Sequence, residues 1–127
     1  MAATDFVTGY DHFGIPTNDM EATRKFYEAL GFKSIYETDN NGPVVFYEHA
    51  GVVVETYLAK DGAAMKRGAI DHIALRVSDV AAAQKEVEKT GYPIIEGPCD
   101  LPFWENGIRY ILVQGPNMEC VEFLQML

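Results

Sequence analysis

Apolar positions divide the chain into two halves with the same order of patterns. Each half opens with a stretch in which residues of one parity are apolar, at residues 10–17 and 70–77. Such alternation predicts a strand with one buried face. A stretch with apolar residues at helical spacing follows, from Met20 to Leu30 and from Val80 to Val87, and a glycine closes each of them. One strand followed by one helix is therefore predicted in each half.

Three shorter runs of β-forming residues follow each predicted helix, separated by turn-forming Asn, Gly and Pro. The predicted strands are Lys33–Thr38, Val44–His49 and Val52–Leu58 in the first half, and Pro93–Gly97, Ile108–Gln114 and Met118–Gln125 in the second. We therefore expect an α+β fold of two tandem βαβββ modules that form a curved, cup-shaped mixed sheet. The expected organisation is a single domain over residues 1–127, with modules at about 8–60 and about 68–127.

The two halves are also related in sequence. Residues 11–32 align with residues 71–92 at an offset of 60, and 7 of these 22 positions are identical. Chance agreement in such a window would be roughly one or two identities, given average residue usage. The identical positions include His12 and His72, each of which follows an aspartate. A repeat of this kind indicates a duplicated structural unit.

Each half contributes one histidine and one glutamate at comparable places. His12 and His72 have the opposite strand parity to the apolar residues beside them, and Glu55 and Glu122 interrupt the apolar last strands. A carboxylate in such a strand needs a partner. If both sheets curl the same way, all four side chains reach one concave face. Two imidazoles and two carboxylates suit one divalent first-row metal ion, with Ni, Co, Zn, Mn and Fe not distinguished by the ligand types.

Each of these four residues also has a structural interpretation. A lone histidine on a strand is more often a hydrogen-bonded core or surface residue than a ligand. Glu55 would discourage aggregation if its strand were an edge, and Glu122 would simply face solvent near the C-terminal end. The repetition of the histidine and of the final glutamate favours the metal site. Whether such a site lies within one chain or is shared by two is left open by the sequence.

Composition narrows the class of protein. The chain has 127 residues, 48% of them hydrophobic, which suits a core built without disulfides, and Cys99 and Cys120 lack metal-binding spacing. A net charge of −9 with scattered Lys and Arg argues against nucleic acid and anionic membranes as partners. Neither a signal-like N-terminus nor a run of about 18 apolar residues occurs, so we expect a cytoplasmic protein.

The chain resembles the vicinal oxygen chelate superfamily, which includes lactoylglutathione lyase (glyoxalase I), methylmalonyl-CoA epimerase, fosfomycin-resistance proteins and extradiol dioxygenases. The resemblance runs from Tyr10 to Gln125 and is most specific in the following segments: Asp11-His12-Phe13, Asp71-His72-Ile73, Phe26–Phe32, Gly115-Pro116-Asn117 and Val121-Glu122-Phe123. It implies that His12, Glu55, His72 and Glu122 occupy the four metal-binding positions of the family, as in its lyase and epimerase branches. Glutathione-using lyases typically carry an arginine where this chain has Pro16, so the use of glutathione stays open.

The resemblance implies a metal-dependent lyase or isomerase that is glyoxalase I-like. Its reaction would be proton transfer through a metal-chelated enediolate on a small hydroxycarbonyl or thiohemiacetal substrate. Glu122 is predicted as the main base and Glu55 as the second candidate, in a homodimer. The residues predicted to contact the substrate are Arg109, Trp104, Phe103 and Tyr57. The alternatives are an epimerase of the methylmalonyl-CoA or sugar type, a fosfomycin-type thiol transferase and a non-catalytic ligand-sequestering protein.

Overall fold

Two βαβββ modules follow one another along the chain, so the predicted fold class is confirmed. A computed structural model describes residues 3–127. After a short 3-10 helix (Ala3–Phe6), the first module contains β1 (Phe13–Thr17), α1 (Met20–Ala29), β2 (Lys33–Asp39), β3 (Pro43–His49) and β4 (Val52–Leu58). The second module contains β5 (Ile73–Arg76), α2 (Val80–Thr90), β6 (Ile94–Leu101), β7 (Ile108–Gln114) and β8 (Cys120–Met126).

Each module forms its own four-stranded mixed sheet. The strand orders are β1-β4-β3-β2 and β5-β8-β7-β6, so the first strand of each module lies at an edge beside the last one. The β1–β4 and β5–β8 pairs are parallel, and the other pairs are antiparallel. This topology brings the start of each module next to its end, which is where the histidines and glutamates were predicted to meet.

Matching caps begin the two helices. The side chain of Asp19 accepts a hydrogen bond from the Ala22 backbone N–H at 3.0 Å, and Asp79 does the same for Ala82 at 3.1 Å. These carboxylates satisfy backbone donors that a helix leaves unpaired in its first turn. The chain turns at a fixed point into each helix, and this places α1 and α2 on equivalent faces of their sheets.

One apolar core serves both modules. Phe26 and Tyr27 of α1 are fully buried, and the Phe26 ring meets Tyr92 of the second module with 4.9 Å between centroids. The same buried cluster contains residues from the strands of both sheets. A buried hydrogen bond of 2.9 Å from the Thr17 hydroxyl to Asn117 Oδ1 ties the end of β1 to the β7–β8 turn. The helical sides of the modules therefore pack together within one chain.

Gly115 lies where the β7–β8 turn approaches α1. A Cβ atom there would lie 2.7 Å from Cε2 of Phe26 and 2.7 Å from the carboxylate carbon of Glu119. Because overpacking forces neighbours to move, we expect Gly115→Ala to lower the free energy of unfolding by about 1–3 kcal/mol. Gly68→Ala is the control, since the nearest atom there is 3.9 Å away. Urea denaturation should separate the two variants, and equal midpoints would contradict the packing argument.

Strand ends differ from the sequence prediction by one or two residues in β2, β3 and β8, and the differences at β1, β5 and β6 bear on the site. β1 and β5 begin at Phe13 and Ile73, so each histidine immediately precedes its strand. β6 continues past the predicted end at Gly97, because a register shift between Glu96 and Cys99 takes the Gly-Pro pair out of the ladder. Glycine and proline were read as a strand end, but they also occur in bulges within a continuing strand.

None of the helices in residues 3–127 has both the length and the apolar character that crossing a membrane requires.

Candidate functional site

The first module brings His12 and Glu55 together. Nε2 of His12 lies 3.2 Å from Oε1 of Glu55 in β4, and Nδ1 lies 2.6 Å from the Asp11 carboxylate. The hydrogen bond to Asp11 is the main cause that raises the pKa of His12 above its ordinary value, with the charge of Glu55 contributing in the same direction. The imidazole is thus held between two carboxylates, one on each ring nitrogen.

The second module repeats this arrangement with His72 and Glu122. Nε2 of His72 lies 3.1 Å from Oε2 of Glu122 in β8, and Nδ1 lies 2.8 Å from Oδ2 of Asp71. The Glu122 side chain is 12% exposed, against 27% for Glu55. We call His12 with Glu55 the first pair and His72 with Glu122 the second pair. The second pair is the more shielded of the two.

Arg67 distinguishes the second pair from the first. Its Nε and Nη2 atoms donate to the two oxygens of Asp71, at 2.8 and 2.5 Å. This contact and the hydrogen bond with His72 lower the pKa of Asp71 to about 2. Asp11, the counterpart of Asp71, has a 92% exposed side chain. Sequence reasoning missed Arg67, and its position four residues before Asp71, outside any helix, gives no signal of the contact.

Each pair fits two neighbouring positions around a metal ion. Ligand atoms at about 2.1 Å from one ion and at right angles to each other lie about 3.0 Å apart, close to the observed 3.2 and 3.1 Å. A carboxylate on Nδ1 is the outer partner that metal-binding histidines almost always have. However, no three His, Cys, Asp or Glu side chains within residues 3–127 form a cluster that would hold a metal. Within one chain, the predicted ligands therefore form two separate pairs and not one site of four.

A cavity of about 310 Å³ lies beside the second pair. It has one wall of mainly apolar residues from β6, β7 and β8, and a rim formed by the loop after β6. The cavity is lined by the second pair and by the following residues: Arg67, Asp71, Glu96, Leu101, Phe103, Trp104, Ile108, Tyr110, Leu112 and Leu124. Phe103 and Trp104, predicted as substrate contacts, lie at this cavity. We call it the second-module cavity.

The other two predicted substrate contacts lie elsewhere. Tyr57 lines a cavity of about 260 Å³ with Glu55 in the first module. Arg109 does not line the second-module cavity, and its guanidinium donates to Asp100 at 2.7 and 2.9 Å. Strand alternation explains the position of Arg109, because Ile108 and Tyr110 face the cavity and Arg109, which lies between them, faces the other way. Proximity to the loop suggested Arg109, whereas strand parity would have excluded it.

Two tandem βαβββ modules are the fold of the vicinal oxygen chelate class of proteins. Comparison with family models agrees, because residues 9–123 match the Glyoxalase/Bleomycin resistance protein/Dioxygenase superfamily. The chain belongs to this superfamily, which confirms the resemblance drawn from the sequence.

Similar proteins cover nearly the whole chain. YwbC of Bacillus subtilis (strain 168), an uncharacterized protein, is 31% identical over 122 residues, which span 91% of this chain and 95% of YwbC. The fosfomycin resistance protein FosX of Listeria monocytogenes superimposes with a TM-score of 0.76 at 16% identity, over 96% of each chain. The antibiotic-binding protein TnmS3 of Streptomyces sp. CB03234 gives 0.74 at 19% identity, over 96% of this chain and 98% of TnmS3. At these identities, the two structures show a shared fold.

Proposed function

We propose that this protein is a divalent-metal-dependent lyase or isomerase of the glyoxalase type, which moves a proton on a small hydroxycarbonyl or thiohemiacetal substrate. The observation that carries the proposal is the repeated pair: a histidine whose Nε2 faces a glutamate oxygen and whose Nδ1 is held by an aspartate. Two such pairs supply two neutral imidazoles and two carboxylates, a set suited to Ni, Co, Zn, Mn or Fe. A crystal structure of FosX complexed with Mn(II) has the same fold, which supports this class of metal.

The metal ion and the protein chain would contribute different parts of the reaction. A bound divalent ion would polarise a substrate carbonyl and make the neighbouring C–H bond more acidic. The chain has to place a carboxylate where it can take up that proton and return it. We propose Glu122 as the main base and Glu55 as the second candidate. The shielding of Glu122 supports this choice, since exclusion of water strengthens the electrostatic interactions of a carboxylate.

We further propose that the working form is a homodimer in which the first pair of one chain meets the second pair of its partner. Separation of the pairs within one chain supports this arrangement. The edge strands β1 and β5, which lie next to the histidines, each pair on one side within their sheets and leave the other side for a neighbour. Two copies related by a twofold axis would form two equivalent sites.

Ligand sequestration without catalysis is the second candidate. It is favoured by the separation of the pairs, because a binding protein needs no complete metal site. An epimerase would use the same four ligands as the leading proposal and differs from it only in substrate. A fosfomycin-type thiol transferase is less well supported, because the one arginine at the second-module cavity already pairs with Asp71.

Metal content and proton exchange test the proposal together. We expect protein purified without added metal to contain about one equivalent of a first-row divalent ion per chain, as two shared sites per dimer require. In deuterated water, hydroxyacetone should exchange its carbinol proton faster with this protein than with the chelator-treated form, as followed by proton NMR. Absence of bound metal, together with absence of exchange after each of the five ions is added, would favour the sequestering protein.

A further inference from the structure

The carboxylates of Glu96 and Glu122 both lie beside Leu112 on the wall of the second-module cavity. The register of β7 and β8 fixes the order of residues along the cavity wall, since Glu122 is opposite Leu112 and Leu124 is opposite Tyr110. Ile108 follows on the same face of β7, one more step away from Glu122. Because two residues of antiparallel strand span about 6.8 Å, the wall from Leu112 to Ile108 extends for about 14 Å. The cavity thus leads away from the second pair along an apolar surface.

Exposed aromatic side chains extend the wall beyond Ile108. Leu101 lies opposite Ile108, and Phe103 and Trp104 follow it with 52% and 78% of their surface exposed. Trp104 has a φ of 62°, a left-handed conformation that bulky residues rarely adopt. Such conformations occur often at binding sites. The indole of Trp104 lies at the rim, with most of its surface open to a ligand.

The charged side chains of the cavity disfavour an anionic ligand group at this wall. The charged side chains that line it are Arg67, Asp71, Glu96 and Glu122. The Nε and Nη2 atoms of Arg67 already donate to Asp71, so three carboxylates face one cation that is already paired. A phosphate or carboxylate tail would therefore meet net repulsion at this wall.

We propose that the substrate carries an uncharged aromatic or apolar tail, which lies along this wall while its hydroxycarbonyl head lies at the second pair. This inference rests on the proposed function and specifies its substrate class. Burial of the tail against Leu101, Tyr110 and the rim aromatics provides affinity through the hydrophobic effect. The polar head is thereby placed beside Glu122, the proposed base.

Three probes with the same hydroxycarbonyl head test the tail: 2-hydroxyacetophenone, hydroxyacetone and dihydroxyacetone phosphate. Calorimetric titration of the metal-loaded protein should give a Kd for the phenyl probe at least about tenfold lower than for the methyl probe, given the apolar area buried. The phosphate probe should bind most weakly. Trp104 is the single tryptophan of the chain, so quenching of its fluorescence reports whether the phenyl probe reaches the rim.

Two variants on β6 locate the binding surface. Leu101→Ala should weaken binding of the phenyl probe about three- to tenfold and leave the methyl probe unchanged, because it removes wall area. Ile95→Ala is the matched control, since Ile95 is 41% exposed on the same strand and lies outside the cavity lining.

Equal Kd values for the phenyl and methyl probes, or tightest binding of the phosphate probe, would overturn the inference. Deuterium exchange in all three probes at equal rates would overturn it and leave the proposed function standing. Selective phenyl binding without exchange would support the tail and contradict the function.

Discussion

A mixture of two inactive variants should recover about one quarter of wild-type exchange activity once their subunits have been redistributed. The first variant, His12→Gln/Glu55→Gln, lacks the first pair, and the second variant, His72→Gln/Glu122→Gln, lacks the second pair. In a heterodimer, the intact first pair of one chain meets the intact second pair of the other, and the remaining site loses both pairs. Random exchange makes half of the dimers heterodimers, each with one of two sites restored, which gives about one quarter of the activity.

This recovery requires that the site is shared between two chains. Each variant alone should stay inactive, and each should elute as a dimer on gel filtration. Heterodimers can be isolated by placing different affinity tags on the two variants, which removes doubt about whether exchange occurred. Purified heterodimers without activity would show that the two pairs are not united across chains. The same experiment with metal content as the readout reports on the site without requiring turnover.

Local pattern sufficed to predict the strands that carry the site. The bounds of β4 and β7 were predicted without error, because turn residues end both runs and burial shapes their composition. Parity placed His12 on the face that Glu55 shares, and the structure joins them at 3.2 Å. A repeat with strand parity is enough to predict such a contact, since both depend on neighbouring positions within one module.

Contacts between distant segments could not be predicted in this way. Arg67 reaches Asp71 from a segment outside the regular elements, where periodicity gives no direction for a side chain. The distance between the two pairs depends on how the modules pack, which is set by the contact of Phe26 with Tyr92 and by the Thr17–Asn117 hydrogen bond. Sequence parity assigns the four side chains to concave faces but does not say whether the two faces of one chain meet.

Glu122→Gln should cause the largest loss of any single substitution at the site. The amide keeps the size of the side chain, so the fold should be retained, but it can neither accept a proton as a base nor offer a charged ligand. We expect the exchange rate to fall by about 10²–10⁴-fold, the usual contribution of general base catalysis. Metal affinity should also fall at least about tenfold, because the change removes the negative charge of a ligand that lies beside His72.

Two further amide variants serve as comparisons for Glu122→Gln. Glu96→Gln removes a carboxylate from the same cavity that belongs to neither pair, and it should leave both exchange and metal affinity within about twofold of wild type. Glu55→Gln should lower metal affinity to a similar degree, yet at saturating metal it should retain more exchange activity than Glu122→Gln, since Glu122 is proposed as the main base. Metal titration by calorimetry and deuterium exchange at saturating metal separate these effects. Faster exchange by Glu122→Gln than by Glu55→Gln at full metal loading would transfer the role of base to Glu55, because loss of the ligand alone would then account for the effect at Glu122.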